Sequence, residues 1–240
     1  SADLAYYTKG KQLPTLIKSN IYTSLISVLF PGMSKINDEG EKVKALSRKS
    51  IRVLTYIIYP LMTGLLVVAE PLTIFLKWIA MVPFVWVVCI EAIFSVPGTI
   101  TLQSVKAMGY SDKMLKAEIF KKPILILSII IAMQYGVMAI ALTLPLNTLL
   151  EFVINGVMAH KTVDYSIREQ LWDCLPATIM SVLMGAGVLL VAHLPLGLGT
   201  IALLFVEILV GIVIYVLLSV ITRNEEFMAL ASMAKQYLKR

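Results

Sequence analysis

The chain has 240 residues, 58% of them hydrophobic and 15% charged, with a formal net charge of +6. Soluble domains carry about 45–50% apolar and about 25% charged residues, so this composition speaks against a water-soluble enzyme. It offers instead enough apolar residues for about seven helices of roughly 20 residues, the length that crosses a ~30 Å hydrocarbon core. Two cysteines, Cys89 and Cys174, lie in or beside apolar runs, which leaves no disulfide framework and no zinc spacing. No cofactor motif occurs: there is no glycine-rich phosphate loop, hydrolase elbow or HExxH sequence, and His160 and His193 fall in opposite loops.

In chain order, apolar stretches run over Leu13–Phe30, Val53–Ala69, Ile79–Val105, Pro123–Tyr135, Val137–Met158, Leu175–Ala192 and Gly199–Ile221. The fourth is short, and Ile119–Phe120 with the stems of Lys121 and Lys122 complete it by snorkelling. Helix breaks are expected at Phe30-Pro31-Gly32, Glu70-Pro71, Ala107-Met108-Gly109, Tyr135-Gly136 and Leu194-Pro195-Leu196-Gly197. Pro123 and Pro176 suit a first helical turn. Ala177, Ser181 and Gly185 suit close helix packing. Strands do not fit stretches this long without period-two alternation. The expected fold is an all-α membrane protein, a polytopic bundle of about seven transmembrane helices over residues 1–222. A cytoplasmic amphipathic tail over 223–240 completes it, with Phe227, Leu230, Ala231, Ala234 and Leu238 on one face of an interfacial helix.

Seventeen of the 21 basic residues fall in alternate loops and at the C-terminus, three fall on the opposite side, and Lys18 lies inside the first span. The positive-inside rule then puts the start of the chain outside and its end in the cytoplasm. Basic loops of this kind set topology and touch anionic lipid headgroups; nucleic acid is not implied. The start at Ser1, outside the membrane and shortly before a span, reads as a cut through a larger protein.

Polar residues within the spans are the informative chemistry, because a charge at the bilayer centre costs roughly 2.5–3.5 kcal/mol on insertion scales. In the third span Glu91, Ser95, Thr99 and Gln103 recur every four residues, with Pro97-Gly98 among them. In the fifth, Thr143, Asn147, Glu151 and Asn155 repeat the spacing; in the first, Lys11, Thr15, Lys18 and Tyr22 form a third stripe. Such stripes serve either as interhelical hydrogen-bonding seams or as the wall of a water-filled cavity. Glu91 would lie ~16 Å along its helix, near mid-membrane, where a carboxylate needs water, a cation or a proton. That favours a cavity at Glu91; Glu151, nearer the cytoplasmic side, fits a cavity or a packing seam equally. Lys18 either snorkels to headgroups or serves a buried anion. Glu207, among Phe205, Val206 and Ile208, reads as a structural or partner-facing carboxylate.

The N-terminal run Ala5-Tyr6-Tyr7-Thr8-Lys9-Gly10-Lys11-Gln12-Leu13-Pro14, followed by Val28-Leu29-Phe30-Pro31-Gly32-Met33-Ser34-Lys35-Ile36, resembles the middle of polysaccharide-unit (Wzx-type) flippases. These belong to the multidrug/oligosaccharidyl-lipid/polysaccharide exporter superfamily. Lys9-Gly10 stands where that family usually has Arg-Ala. Tyr59-Pro60-Leu61-Met62, Val68-Ala69-Glu70-Pro71 and Ala107-Met108-Gly109-Tyr110-Ser111-Asp112 extend the likeness. The resemblance implies the C-terminal half of a two-bundle transporter of the bacterial inner membrane. It also implies movement of an undecaprenyl-diphosphate-linked sugar unit by alternating access, coupled to a cation or proton gradient. The implied partners are membrane lipids, the lipid-linked oligosaccharide, the missing N-terminal half and glycan polymerisation machinery. Lys18, Thr15, Tyr22, Gln103 and Asn147 become the candidate substrate-binding residues, and Glu91 and Glu151 the candidates for ion coupling. A drug or metabolite antiporter of the same superfamily, or a non-transporting scaffold for glycan assembly, are the alternatives.

Overall fold

The chain's structure, a computed structural model, describes residues 2–36, 39–195 and 199–228. Among them every regular element is helical: α1 (Ala2–Ser34), α2 (Gly40–Val67), α3 (Ala69–Phe75), a 3₁₀ turn (Ile79–Met81), α4 (Val82–Ala107), α5 (Ser111–Met133), α6 (Val137–Val163), α7 (Ile167–Ala192) and α8 (Thr200–Ile221). Among the described residues six segments are long and apolar enough to cross a membrane: all the long helices except α5, with the 3₁₀ turn joined to α4. The chain is an all-α polytopic membrane protein.

Helix α4 is the hub, packed against α1, α2 and α6; α2 also lies along α7, and α7 along α8. Its buried face is built from Val85, Cys89, Ala92, Val96 and Ile100. Small residues bring the backbones close. A Cβ added at Gly98 would sit 3.2 Å from Phe152 Cα on α6, and one at Gly185 would sit 2.9 Å from Thr63 Cγ2 on α2. Ala177 and Ser181 are buried on the same face of α7. Large apolar side chains such as Leu146, Phe205 and Leu209 point outward instead, as a lipid-facing surface requires.

Aromatic residues mark both ends of the bundle. Lys9 Nζ lies 5.7 Å from the Trp78 ring, and Tyr6 meets Trp78 edge-on. At the other end Lys106 Nζ lies 5.3 Å from the Phe30 ring and Lys113 Nζ 4.0 Å from the Tyr110 ring. Cations over aromatic rings at two levels are what interfacial belts provide.

Several expectations need correction. The fourth apolar stretch is not among the six membrane-length segments: α5 starts at Ser111 and carries Asp112, Lys113, Lys116, Glu118, Lys121 and Lys122 through its first half. Only Pro123–Met133 is apolar, ~16 Å of helix against a ~30 Å core. Lys121 does not snorkel outward either; it is buried, paired with Glu118, and its Nζ reaches Asn155 Oδ1 at 3.5 Å.

The Phe30-Pro31-Gly32 break is absent, since α1 runs through both Pro14 and Pro31. In lipid an interrupted backbone has no water to bond, so a helix loses less by passing through proline than by ending there. Pro123 and Pro176 likewise sit inside α5 and α7 rather than in a first turn. Those helices begin about three turns earlier, α7 with a Ser166–Glu169 capping box. The second break falls at Val68, just before Glu70-Pro71. Gly109 and Gly136, at φ +78° and +93°, do break the chain as expected. Leu196 and Gly197 lie outside the described residues, as does the tail from residue 229 onward; Glu225–Met228 are helical, with Asn224 Oδ1 accepting from Phe227 N at 3.1 Å.

Basic residues 42–52 belong to α2, not to a loop, and three of them bond α7. Arg48 Nε and Nη2 donate to Asp173 Oδ2 and Oδ1 at 2.8 and 3.0 Å, Arg52 Nε donates to Oδ1 at 2.9 Å, and Lys44 pairs with Glu169 at 3.0 Å. Tyr165, in the α6–α7 connection, donates its hydroxyl to Asp173 Oδ2 at 2.8 Å. Burial, and then the Asp173 carboxylate, push the Tyr165 phenol above its usual range, so it stays protonated and remains a donor.

Candidate functional site

Helices α1, α4 and α6 converge on a cavity of about 220 Å³. Eight side chains with polar groups line it: Lys18 and Tyr22 from α1, Glu91, Ser95 and Thr99 from α4, and Thr148, Glu151 and Asn155 from α6. Gly98 and Leu102 complete it. The glycine is essential to this arrangement, because it lets α6 approach closely enough for Asn155 Nδ2 to donate to Gly98 O at 3.1 Å.

Lys18 and Glu91 form the centre. Lys18 Nζ donates to both carboxylate oxygens of Glu91, at 2.8 and 2.6 Å, across 73 positions of sequence. Their side chains are only 20% and 14% exposed, so the pair is largely withdrawn from solvent. Thr148 Oγ1 adds a bond to Glu91 Oε1 at 3.3 Å. Tyr22 and Ser95 share a hydrogen bond of 3.1 Å beside it. Glu151 lines the same cavity and has no ion-pair partner among the described residues. Among the lining side chains one ammonium faces two carboxylates, and the Lys121 ammonium lies 3.5 Å from Oδ1 of the lining Asn155. Lys18 lies at the middle of α1 and turns inward rather than toward headgroups.

Of the seven candidate residues, Lys18, Tyr22, Glu91 and Glu151 share this cavity, and Thr15, Gln103 and Asn147 do not line it. Thr15 is exposed. Asn147 spends its amide on Ser128 Oγ of α5 at 3.0 Å and Thr143 O at 2.7 Å, which makes it a packing residue between α5 and α6. Gln103 is carried away by helix geometry. Four residues advance a helix by about 40° beyond a full turn, so three such steps from Glu91 rotate Gln103 by about 120°. The same drift removes Thr143 from the Asn155 end of α6. Thr148 escaped the four-residue pattern, although its i,i+3 spacing to Glu151 is an equally good sign of a shared helix face. Among the described residues no group of three or more His, Cys, Asp or Glu is placed to hold a metal ion.

Residues 1–83 match a family model described as a polysaccharide biosynthesis protein family. The chain is 30% identical over 136 residues to the lipopolysaccharide biosynthesis protein WzxC of Escherichia coli (strain K12), an alignment covering 55% of this chain and 27% of that protein. It is 33% identical over 75 residues to an uncharacterized membrane protein in the cps region of Klebsiella pneumoniae, covering 30% of this chain and 16% of the relative. The chain therefore spans about a quarter or less of the length of these relatives. No solved structure matches it. With six membrane-length helices among its described residues, the chain is thus similar to a polysaccharide biosynthesis protein family over residues 1–83 and to a lipopolysaccharide biosynthesis protein over 136 residues.

Proposed function

We propose that this chain is the C-terminal half of a transporter that moves a lipid-linked oligosaccharide across the bacterial inner membrane by alternating access. In this reading the Lys18–Glu91 pair, with Glu151, is its coupling centre. The observation that carries the reading is the engagement of Lys18 with both oxygens of Glu91 inside membrane-crossing helices, beside a second, unpaired carboxylate. A lysine held this way is released only when another anion takes it or when Glu91 accepts a cation or proton. An undecaprenyl-diphosphate carrier supplies such an anion, and lysine serves phosphate as a point charge. Cation uptake at Glu91 and capture of phosphate by Lys18 are then linked, each favouring the other. The similarity of residues 1–83 to a polysaccharide biosynthesis family, and of the longer alignment to a lipopolysaccharide biosynthesis protein, supports the substrate class. Membrane lipids, the N-terminal half and glycan polymerisation machinery are the partners of this reading, with the chain starting outside and ending in the cytoplasm.

Transport of the lipid-diphosphate sugar by the native gene product tests it. Lys18→Gln should lower transport well beyond any change in protein level, and Lys18→Arg should retain part. Glu91→Gln should leave the protein folded while removing its dependence on the gradient. Normal transport by Lys18→Gln would overturn the assignment. A drug or metabolite antiporter is the second reading, favoured by the excess of carboxylates over ammonium in the cavity. It requires that an organic cation bind and that Glu91→Gln/Glu151→Gln abolish the binding.

A further inference from the structure

A second cavity, of about 490 Å³, lies between α2, α7 and α8, with Ile17 of α1 also lining it, and shares no lining residue with the polar site. Its volume falls within the ~300–1,000 Å³ of sites that enclose a drug-sized molecule. Leu61, Leu65, Met184, Val188, Ile208 and Ile212 make its walls apolar. Three residues bring hydrogen-bonding side chains to it, and two of these are committed. Tyr215 donates its hydroxyl to Tyr56 O at 2.8 Å, and Tyr56 OH bonds Ser219 Oγ at 2.8 Å. The third is Glu207. Its side chain is buried, the residue being 2% exposed, and Oε2 has no hydrogen-bond partner among the described residues. A carboxyl buried without a partner is costly, and native proteins rarely leave one so.

We propose that this groove is a binding site for a lipophilic monocation, an apolar chain or ring system carrying one ammonium N–H donor, which completes Glu207. Charge complementarity selects the occupant. The apolar walls bury the body of the ligand, and Glu207 offers one acidic acceptor that no lysine or arginine among the lining residues satisfies. A phosphate-bearing headgroup or a lipid diphosphate would meet this carboxylate as a like charge and is rejected. The site is therefore independent of the Lys18–Glu91 centre and of the transport reading built on it.

Saturable binding of radiolabelled dodecylammonium to the chain in phosphatidylcholine nanodiscs, with empty nanodiscs subtracted, tests the proposal. One saturable site is expected. Glu207→Gln, a near-isosteric change checked for native helicity, should weaken it by about tenfold or more, the worth of a charge-assisted bond. Excess dodecanol should not displace the ligand. Binding no greater than in empty nanodiscs, or equal binding by Glu207→Gln, overturns the proposal. So does equal displacement by dodecanol, which would mark the groove as an apolar slot for lipid chains only.

Discussion

At the scale of single residues, the ion-paired carboxylates Glu91 and Asp173 have partners that differ in exposure, and the difference sets which substitutions hurt. Glu91 has one cation, Lys18, in a largely buried setting. Removing only that cation leaves an uncompensated charge, a loss of about 3–5 kcal/mol, whereas replacing both partners by apolar residues is often close to neutral. Lys18→Met should therefore lower unfolding stability in detergent markedly, and Lys18→Met/Glu91→Leu should recover most of it; additive losses would contradict the pairing. Asp173 is 1% exposed, but its partners Arg48 and Arg52 are 37% and 41% exposed. Those guanidinium groups reach water when Asp173 is gone, while Asp173 cannot do so when they are gone. Arg48→Ala/Arg52→Ala should thus destabilise the protein more than Asp173→Ala, as read by thermal unfolding of the purified protein. Both carboxylates sit on helices that sequence spacing places in the membrane, but which cation each one finds follows from contacts 73 and 125 positions apart.

At the scale of elements, close approach is written into small residues and then used to assemble the polar wall. Gly98 is the clearest case, with α6 backbone 3.2 Å from where its Cβ would be. Gly98→Val should push α4 and α6 apart, break the Asn155–Gly98 bond and cost about 1–3 kcal/mol, the usual penalty of overpacking. Unchanged unfolding stability in this variant would refute the tight α4–α6 contact. The prolines carry a different lesson. Local chemistry marks Pro31, Pro123 and Pro176 as helix boundaries, yet each lies inside a helix, because bilayer solvation and neighbouring helices outweigh one missing backbone hydrogen bond. The Ser166-x-x-Glu169 box was readable in the sequence and marks the true start of α7.

At the scale of the whole molecule, exposed Lys49 and Lys116 lie on the side that the charge pattern assigns to the cytoplasm, and exposed Lys77 on the other. Cysteines at Lys49 and Lys116 should be labelled only from the cytoplasmic side of sealed vesicles, and one at Lys77 only from the outside. Labelling of Lys49→Cys from outside in intact cells would reverse the topology. The sequence by itself determined the class: an all-α membrane bundle, its apolar stretches, the flippase-like motifs and the polar stripes on the first, third and fifth stretches. The bundle, its stretches and its stripes follow from composition and periodicity, which act within one helix, while the motifs rest on resemblance. Only the tertiary structure decided that α5 is half polar and half apolar in its packed setting, and that the basic residues of α2 bind α7. It also decided that Lys18 neutralises Glu91, while Glu207 Oε2 has no hydrogen-bond partner among the described residues. Stripe periodicity fixes which face a side chain occupies, but the rotation of each helix against its neighbours decides which faces meet, and that rotation is set by packing across the bundle.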